Sequence, residues 1–180
     1  MKNVSIRRIQ QESLTQTKFH FIYHTKSYYD VEIKGTSFNL VLKHYEKEIT
    51  KEYDDVLFSE WLEVPELLGI YVNDSWAGFI EGSIEMWNNR YRITNLLVFD
   101  EFKGQNLGTR LIREMITLAK SKGVRMIVLE VLSSNANAIQ LYQKNGFEII
   151  GFDLYAYSNS DIKNNEFRID MGMRLEEENG

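Results

Sequence analysis

A short glycine-containing segment between a predicted strand and a predicted helix could bind an anion. It reads KGQNLGT over residues 103–109. Gly104 and Gly108 allow the backbone to approach a ligand closely, and the first turn of a helix offers free N–H groups and the positive end of the helix dipole. Together these features predict a phosphate or pyrophosphate site. A plain strand-to-helix turn is the alternative, since the segment matches neither a Walker loop nor a G-x-G-x-x-G fingerprint.

Hydrophobic periodicity indicates the elements that position this segment. Apolar residues recur every three or four positions from Leu107 to Ala119, which predicts an amphipathic helix ending near Gly123. A second predicted helix covers 136–145 and is capped by Asn135. Residues 10–60 are harder to interpret, and a further helix is predicted at 53–62. Alternating or continuous apolar stretches predict strands at 4–9, 19–24, 38–45, 67–73, 76–86, 91–99, 125–132, 147–157 and 166–175.

Composition narrows the class of protein. The chain has 180 residues, 43% hydrophobic and 26% charged, with a net charge of −5 and no cysteine. This length predicts one domain, and the missing cysteines exclude a disulfide scaffold, thiolate metal sites and a cysteine nucleophile. The acidic balance argues against nucleic-acid binding. No apolar run suits a membrane span or a signal peptide, so we expect a cytoplasmic protein without nucleic-acid or membrane partners.

Residues 129–147 carry a resemblance to a known family. Leu129-Glu130-Val131 is followed by S-N-x-x-A-x-x-L-Y-x-x-x-G-F over 134–147. This pattern resembles the second signature of the GNAT superfamily of acyl-CoA-dependent N-acyltransferases, and 103–109 resembles its first signature. The resemblance implies a mixed α/β (α+β) fold, with a mostly antiparallel twisted sheet flanked by helices. Its centre would be a β-α-β-α-β core that binds acyl-CoA.

The resemblance also implies which residues bind acetyl-CoA as co-substrate. The family's loop reads Arg/Gln-x-x-Gly-x-Gly/Ala, and the matching positions here are Lys103, Asn106 and Gly108. Lysine keeps the charge without the guanidinium fork, and asparagine tolerates a left-handed backbone. The implied binding residues comprise a strand edge, the loop and the second signature: Leu97, Val98, Phe99, Lys103, Gly104, Gln105, Asn106, Leu107, Gly108, Thr109, Arg110, Asn135, Ala138 and Tyr142.

Two catalytic roles follow from the same resemblance. Tyr142 matches the family's general acid, which protonates the departing thiolate; its alternative role is to pack its ring on the sheet. Glu130 is the candidate base, and its alternative is an ion pair with an arginine or lysine at the sheet edge. Glu81, Glu85 and ordered water are other candidates for the base. The spacing of His20, His24 and His44 fits no metal set, so no metal is expected.

The acceptor is an amine under this resemblance. Eight carboxylates against two lysines between Glu46 and Glu66 form either a solvated face or an attractive surface for a cationic amine. Residues 87–91 and 153–166 are similar to the streptothricin acetyltransferases, which acetylate a cationic antibiotic. One departure is that this family tends to have acidic residues where Thr94-Asn95 stand here.

Three functions stay open at this point. A small-molecule N-acetyltransferase is favoured, ahead of a protein N-terminal or lysine acetyltransferase and a catalytically idle acyl-CoA-binding module. We expect a monomer or homodimer with a single N-acetyltransferase domain over 1–180. Within it, 1–66 would form the acceptor side, 67–155 the acyl-CoA core, 156–175 a final strand region and 176–180 a frayed tail.

Overall fold

The structure is a computed structural model that describes residues 3–14 and 17–175. The predicted tail at 176–180 lies outside these residues. The described residues form three α-helices, α1 (Leu107–Ser121), α2 (Ala136–Lys144) and α3 (Asp161–Asn164). They also form nine strands: β1 (Val4–Ile9), β2 (Lys18–Lys34), β3 (Ser37–Val56), β4 (Pro65–Val72), β5 (Ser75–Glu85), β6 (Arg90–Val98), β7 (Met126–Leu132), β8 (Glu148–Asp153) and β9 (Arg168–Arg174).

The chain divides into two compact units that are interleaved in sequence. The first unit comprises Met1–Phe19, Asp54–Leu129 and Met173–Gly180, and the second comprises His20–Tyr53 and Glu130–Gly172. Strand β7 begins in the first unit and ends in the second. The single acetyltransferase domain expected from the sequence stays a prediction.

The first unit contains an antiparallel meander followed by a crossover helix. β1 pairs with β4, β4 with β5 and β5 with β6, all antiparallel. A two-residue turn joins β4 to β5, with φ values of 50° at Asn73 and 64° at Asp74, a conformation that asparagine and aspartate favour in tight hairpins. α1 then connects β6 to β7, which pair in parallel. The predicted β-α-β arrangement is therefore confirmed.

α1 is held on the sheet by one apolar face. Its buried residues recur at the helical period and are Leu107, Leu111, Ile112, Met115 and Ala119. Fully burying a leucine, isoleucine or methionine stabilises the fold by about 1.5–3 kcal/mol per side chain. α1 packs against β4, β5 and β6, so its amino-terminal end is fixed beside the end of β6.

The second unit combines a sheet edge with a long hairpin. In the sheet order β1-β4-β5-β6-β7-β9-β8, β9 lies between β7 and β8, and β8 and β9 are antiparallel. β2 and β3 form a separate two-stranded sheet. The turn between them contains Gly35, where φ is 61°. The predicted strands at 19–24 and 38–45 are confirmed, and both are far longer than the sequence pattern indicated. The mixed, mostly antiparallel fold class is confirmed as well.

The predicted helix at 53–62 is wrong. β3 continues to Val56, and residues 57–62 form irregular structure. Leu57, Phe58 and Leu62 are buried at 8% exposure or less, which accounts for the helix-like apolar spacing. Phe58 has a φ of 56°, and this left-handed conformation cannot belong to a right-handed helix.

The last two strands are shorter than the sequence predicts. β8 ends at Asp153 rather than 157, because the Asp153 carboxylate accepts the Tyr155 N–H at 3.0 Å and starts a turn. The turn leads into α3, which the sequence reading did not include. β9 is shorter than the predicted strand at 166–175, because Glu166 donates its N–H to the Asp161 carbonyl at 2.8 Å and belongs to the loop after α3.

Candidate active site

The loop before α1 has the backbone conformation that its residue types predict. After β6, the Phe99 N–H donates to the Ala77 carbonyl at 3.0 Å. Gly104 then has a φ of 75° and Asn106 a φ of 61°, so asparagine does adopt the left-handed conformation expected of it. Nothing lies within 4 Å of a Cβ placed on Gly104, so glycine serves the backbone conformation there rather than relieving a steric clash.

The first turn of α1 follows this loop and carries N–H groups that the helix itself does not use. The first hydrogen bond of the helix runs from the Arg110 N–H to the Asn106 carbonyl at 3.3 Å. The N–H groups of Leu107, Gly108 and Thr109 precede it and have no acceptor within the helix. Lys103 Nζ lies 2.5 Å from Asp100 Oδ1, and that aspartate is 82% exposed. Such an exposed ion pair is worth less than about 1 kcal/mol, so a phosphate can replace it.

The end of β6 provides an extended backbone edge. On one side, Leu97 pairs with Phe79 and Val98 with Gly78 of β5. On the other side, the parallel pairing with β7 runs from Arg90–Met126 to Ile93–Leu129. Residues 94–98 lie beyond that last pair. An extended ligand arm could pair with this edge in the manner of an added strand.

A buried carboxylate lies beside the same stretch of β6. Glu81 on β5 is 1% exposed. Its Oε1 accepts the Phe58 N–H at 2.6 Å, and its Oε2 accepts the Thr94 hydroxyl at 2.7 Å and the Asn95 side-chain amide at 3.0 Å. The sequence singled out Glu81 but did not indicate these three partners. They lie 23, 13 and 14 positions away, and no periodicity links them.

In the second unit, Asn135 and Ala138 start α2. The Asn135 side-chain oxygen accepts the Ala138 N–H at 3.1 Å, and this confirms the predicted cap. The preceding residue, Ser134, is fully buried, and its hydroxyl lies 2.8 Å from the Tyr23 phenol. Strand β2 of the hairpin is thus joined to the start of α2. The Asn135 oxygen is committed to the cap, so any ligand contact by this side chain would use its amide nitrogen.

Tyr142 is buried on α2. Its side chain is 8% exposed, and its ring packs edge-on against Phe147 with centroids 5.7 Å apart. Burial, with a smaller contribution from Tyr53, raises the pKa of Tyr142 well above its usual value. The phenol therefore keeps its proton throughout the physiological range, as a proton donor must.

Glu130 is placed differently from Glu81. It lies on β7 with its side chain 38% exposed, and Arg168 Nη1 is 3.8 Å from its Oε1. Arg168 Nε is closer to Asp170 Oδ1, at 3.1 Å. Glu130 therefore has an arginine neighbour, as the ion-pair alternative to the base role predicts. Its side chain is also accessible to water.

Glu85 is occupied by two arginines. It accepts from Arg92 Nε at 2.5 Å, from Arg90 Nε at 3.0 Å and from the Asn88 amide at 3.2 Å. Burial by itself would raise the pKa of Glu85, but the hydrogen bonds from Arg92, Asn88 and Arg90 outweigh burial and hold this pKa below its usual value. This carboxylate stabilises the β5–β6 connection and is poorly suited to take up a proton near neutral pH.

Replacing Glu85 should lower stability in a pH-dependent way. A depressed pKa in the folded state contributes stability above the unfolded value, about 4.3, and this contribution is lost as the pH falls through the folded value. We expect Glu85→Gln to cost about 1–2 kcal/mol at pH 7, or about 4 °C in Tm. The difference from the parent protein should shrink below about pH 4. Thermal unfolding at several pH values measures this, with the exposed Glu148→Gln as control; an equal loss at every pH would contradict the ion-pair role.

Two negative findings concern the described residues alone. Within 3–14 and 17–175, no three histidine, aspartate or glutamate side chains are grouped so that they could hold a metal ion. None of the helices in this part of the chain has both the length and the apolar character that crossing a membrane requires.

Comparison with known proteins identifies the class. Residues 36–147 match the model of the acetyltransferase (GNAT) family. This match covers more than half of the chain and includes both segments on which the resemblance rested. The chain therefore belongs to this family and is an N-acetyltransferase, an acyltransferase enzyme.

Individual relatives narrow the comparison further. The chain is 26% identical over 141 residues to the streptothricin acetyltransferase of Streptomyces lavendulae, covering 74% of this chain and 75% of that one. The crystal structure of nourseothricin acetyltransferase superimposes with a TM-score of 0.77 at 24% identity, covering 96% and 99% of the two chains. A Bacillus anthracis protein, provisionally assigned as a streptothricin acetyltransferase and solved with acetyl coenzyme A, gives 0.76 at 19% identity, covering 97% and 99%. Both structural likenesses support the fold.

Proposed function

We propose that this protein transfers an acetyl group from acetyl-CoA directly to a primary amine of a small cationic acceptor, of which a streptothricin-like antibiotic is the leading candidate. The observation that carries the proposal is the similarity to the Streptomyces lavendulae streptothricin acetyltransferase across three quarters of both chains. The carboxylates on β3 support a cationic acceptor, because Glu46, Glu48 and Glu52 are all exposed and would attract a polycation.

The first unit suits the donor. The amides of Leu107, Gly108 and Thr109 would hold the pyrophosphate, and the left-handed backbone at Gly104 and Asn106 supports this role by turning the loop. Lys103 would add its charge. The edge of Leu97, Val98 and Phe99 would pair with the pantetheine arm, and an amide there would polarise the acetyl carbonyl. Acetyl-CoA supplies the reactive thioester.

Loop residues Gln105 and Arg110 and the start of α2 complete the proposed donor contacts. Gln105 and Arg110 flank the free amides at the start of α1. Asn135 would use its amide nitrogen on the pantetheine, since its oxygen caps α2. Ala138 would present its small side chain beside the arm.

Tyr142 is proposed as the acid and Glu130 as the base. The attacking amine must lose a proton, and the exposure of Glu130 would let it accept that proton through water. Tyr142 would donate to the sulfur as negative charge develops there. Because burial raises the pKa of Tyr142, full transfer to a thiolate of pKa about 8.5 is uphill. The main contribution of Tyr142 would therefore be a hydrogen bond that stabilises the thiolate.

The first test is thiol release from acetyl-CoA in the presence of a panel of amines. We expect streptothricin to drive release, and aminoglycosides, polyamines and peptides with free amino termini to do so at least about tenfold less efficiently, a difference of about 1.4 kcal/mol in transition-state binding. Intact-mass analysis of the product should show one added acetyl group. Release with peptides alone would instead establish a protein acetyltransferase. Binding of acetyl-CoA without release by any amine would favour the idle module.

The base assignment has its own test. Glu130→Gln should lower kcat/KM by about 10²-fold and remove the acid limb of its pH profile. Arg168→Lys keeps the neighbouring charge and serves as the matched control, with an acid limb that stays in place. A Glu130→Gln profile identical in shape to that of the parent protein would contradict the assignment and favour water as the proton acceptor.

A further inference from the structure

Glu81 joins two parts of the first unit that the family resemblance assigns to different substrates. Through Oε2 it accepts hydrogen bonds from Thr94 and Asn95 on the donor strand β6. Through Oε1 it accepts the N–H of Phe58, in the irregular segment 57–62. This segment belongs to residues 1–66, which the resemblance predicts to form the acceptor side. One buried side chain thus contacts both.

The contacts on β6 coincide with a break in strand pairing. Glu81 pairs with Asn95 and Gly82 with Ile93, so Thr94 is an extra residue without a partner on β5. This is a β-bulge, which bends a strand and is common beside active sites. The parallel pairing of β6 with β7 ends at Ile93, one residue before the bulge. Glu81 therefore contacts β6 at the residues where its pairing with β7 has ended and the edge of residues 94–98 begins.

The contact with Phe58 holds a strained backbone. Phe58 is 6% exposed and has a φ of 56°, a left-handed conformation that is unfavourable for a residue with a bulky side chain. Such strain persists only where surrounding interactions hold it, and it concentrates at functional sites. The 2.6 Å hydrogen bond to the Glu81 carboxylate is such an interaction, since bonds to a charged acceptor are the stronger kind.

We infer that Glu81 is a positioning residue, which sets the geometry of the β6 edge and of segment 57–62 together and does not act as the proton acceptor. This inference rests on the proposed function for its kinetic meaning. Both oxygens of Glu81 already accept hydrogen bonds, and the side chain is 1% exposed, so neither water nor an amine reaches it. Through this one carboxylate, a shift of segment 57–62 is coupled to a shift of the edge that would hold the acetyl donor.

Glutamine and alanine substitutions separate positioning from base catalysis. In Glu81→Gln the amide oxygen can accept from Phe58, and the amide nitrogen can donate to the Thr94 hydroxyl and, after an amide flip, to Asn95. We expect kcat/KM to fall about tenfold, the cost of one weakened hydrogen bond, with a pH profile of unchanged shape. Glu81→Ala leaves all three donors unpaired and should lose about 10²-fold, as for a misplacement of about 1 Å.

A second pair of variants tests the bulge without touching the carboxylate. Thr94→Val removes the hydroxyl that donates to Glu81, while Thr94→Ser keeps it. We expect Thr94→Val to raise the KM for acetyl-CoA about fivefold and Thr94→Ser to restore it to within about twofold of the parent value. An equal effect of both variants would contradict the inference, because the two differ in the hydrogen bond to Glu81.

Amide hydrogen exchange tests the anchoring without any substrate. The Phe58 N–H should exchange at least about tenfold faster in Glu81→Ala than in the parent protein. The Phe99 N–H, which donates to the Ala77 carbonyl, serves as the internal control. Faster exchange at Phe58 would support the anchor even if the acetylation assay failed. Unchanged exchange at Phe58, or loss of the acid limb in Glu81→Gln, would overturn the inference.

Discussion

Tyr142→Phe should lower kcat by about 10²–10³-fold while the Kd of acetyl-CoA stays within about twofold of the parent value. The substitution removes one phenolic hydroxyl and keeps the ring that packs on Phe147. The hydroxyl is proposed to act only once the sulfur carries negative charge, so its loss affects the transition state rather than the bound donor. Stopped-flow turnover and calorimetric titration with acetyl-CoA measure the two quantities.

The pH dependence sharpens this experiment. Burial raises the pKa of Tyr142, so the phenol stays protonated and the defect of Tyr142→Phe should be constant up to about pH 10, the ordinary tyrosine pKa. Tyr155→Phe is the matched control, because Tyr155 belongs to the same unit and is 58% exposed. Full turnover by Tyr142→Phe would remove the acid assignment and leave only a packing role.

Gly78→Ala should destabilise the protein by about 3 kcal/mol, or about 6–12 °C in Tm. A Cβ on Gly78 would lie 2.3 Å from the Leu97 carbonyl oxygen and 2.9 Å from the Val98 Cα. These are backbone atoms of β6 and cannot turn aside, so β5 and β6 must separate. Because Leu97 and Val98 form the proposed edge for the pantetheine arm, the KM for acetyl-CoA should rise as well.

A second glycine provides the control for this prediction. A Cβ on Gly151 would meet the Asp170 side chain at 3.7 Å, an ordinary contact, so Gly151→Ala should change stability by less than about 0.5 kcal/mol. Thermal unfolding and acetyl-CoA titration of both variants give the comparison. A Gly78→Ala protein with parent-like Tm and KM would show that β6 can shift without affecting the donor site.

The sequence predicted the elements whose pattern is local. α1 has a full apolar face at helical spacing, and α2 has both a cap at Asn135 and a short periodic run, so the predicted ends of both helices lie within about two residues of the observed ones. The lengths of the hairpin strands were underestimated because β2 has only two buried residues and β3 has none. Without a continuous buried face, apolar and polar residues do not alternate regularly. The helix at 53–62 failed because three buried apolar residues imitate a helical face in a segment that a left-handed Phe58 makes irregular.

The candidate site likewise combines features that the sequence predicts with features that it does not. The loop conformation at Gly104 and Asn106 follows from residue type alone, and it is confirmed. The environment of Glu81 could not be predicted, because it depends on the β5–β6 register, on the bulge at Thr94 and on where segment 57–62 packs. The carboxylates of Glu81, Glu85 and Glu130 look equivalent in sequence, and only tertiary contacts distinguish them. Glu81 is a buried hydrogen-bond acceptor, Glu85 pairs with arginines, and Glu130 is exposed.

The long hairpin has a consequence for the order of folding. The pairing of β1 with β4 brings Ile9 beside Leu67 and must close a loop of 57 residues, of which β2, its turn and β3 account for 39. A β-hairpin forms locally within about 1–10 μs. Once it has formed, the effective loop to be closed shortens from 57 to 18 residues, which lowers the entropic cost of closure by about 1 kcal/mol. The hairpin thus shortens the loop that must close before β1 can pair with β4, and variants that weaken its turn at Gly35 should refold more slowly.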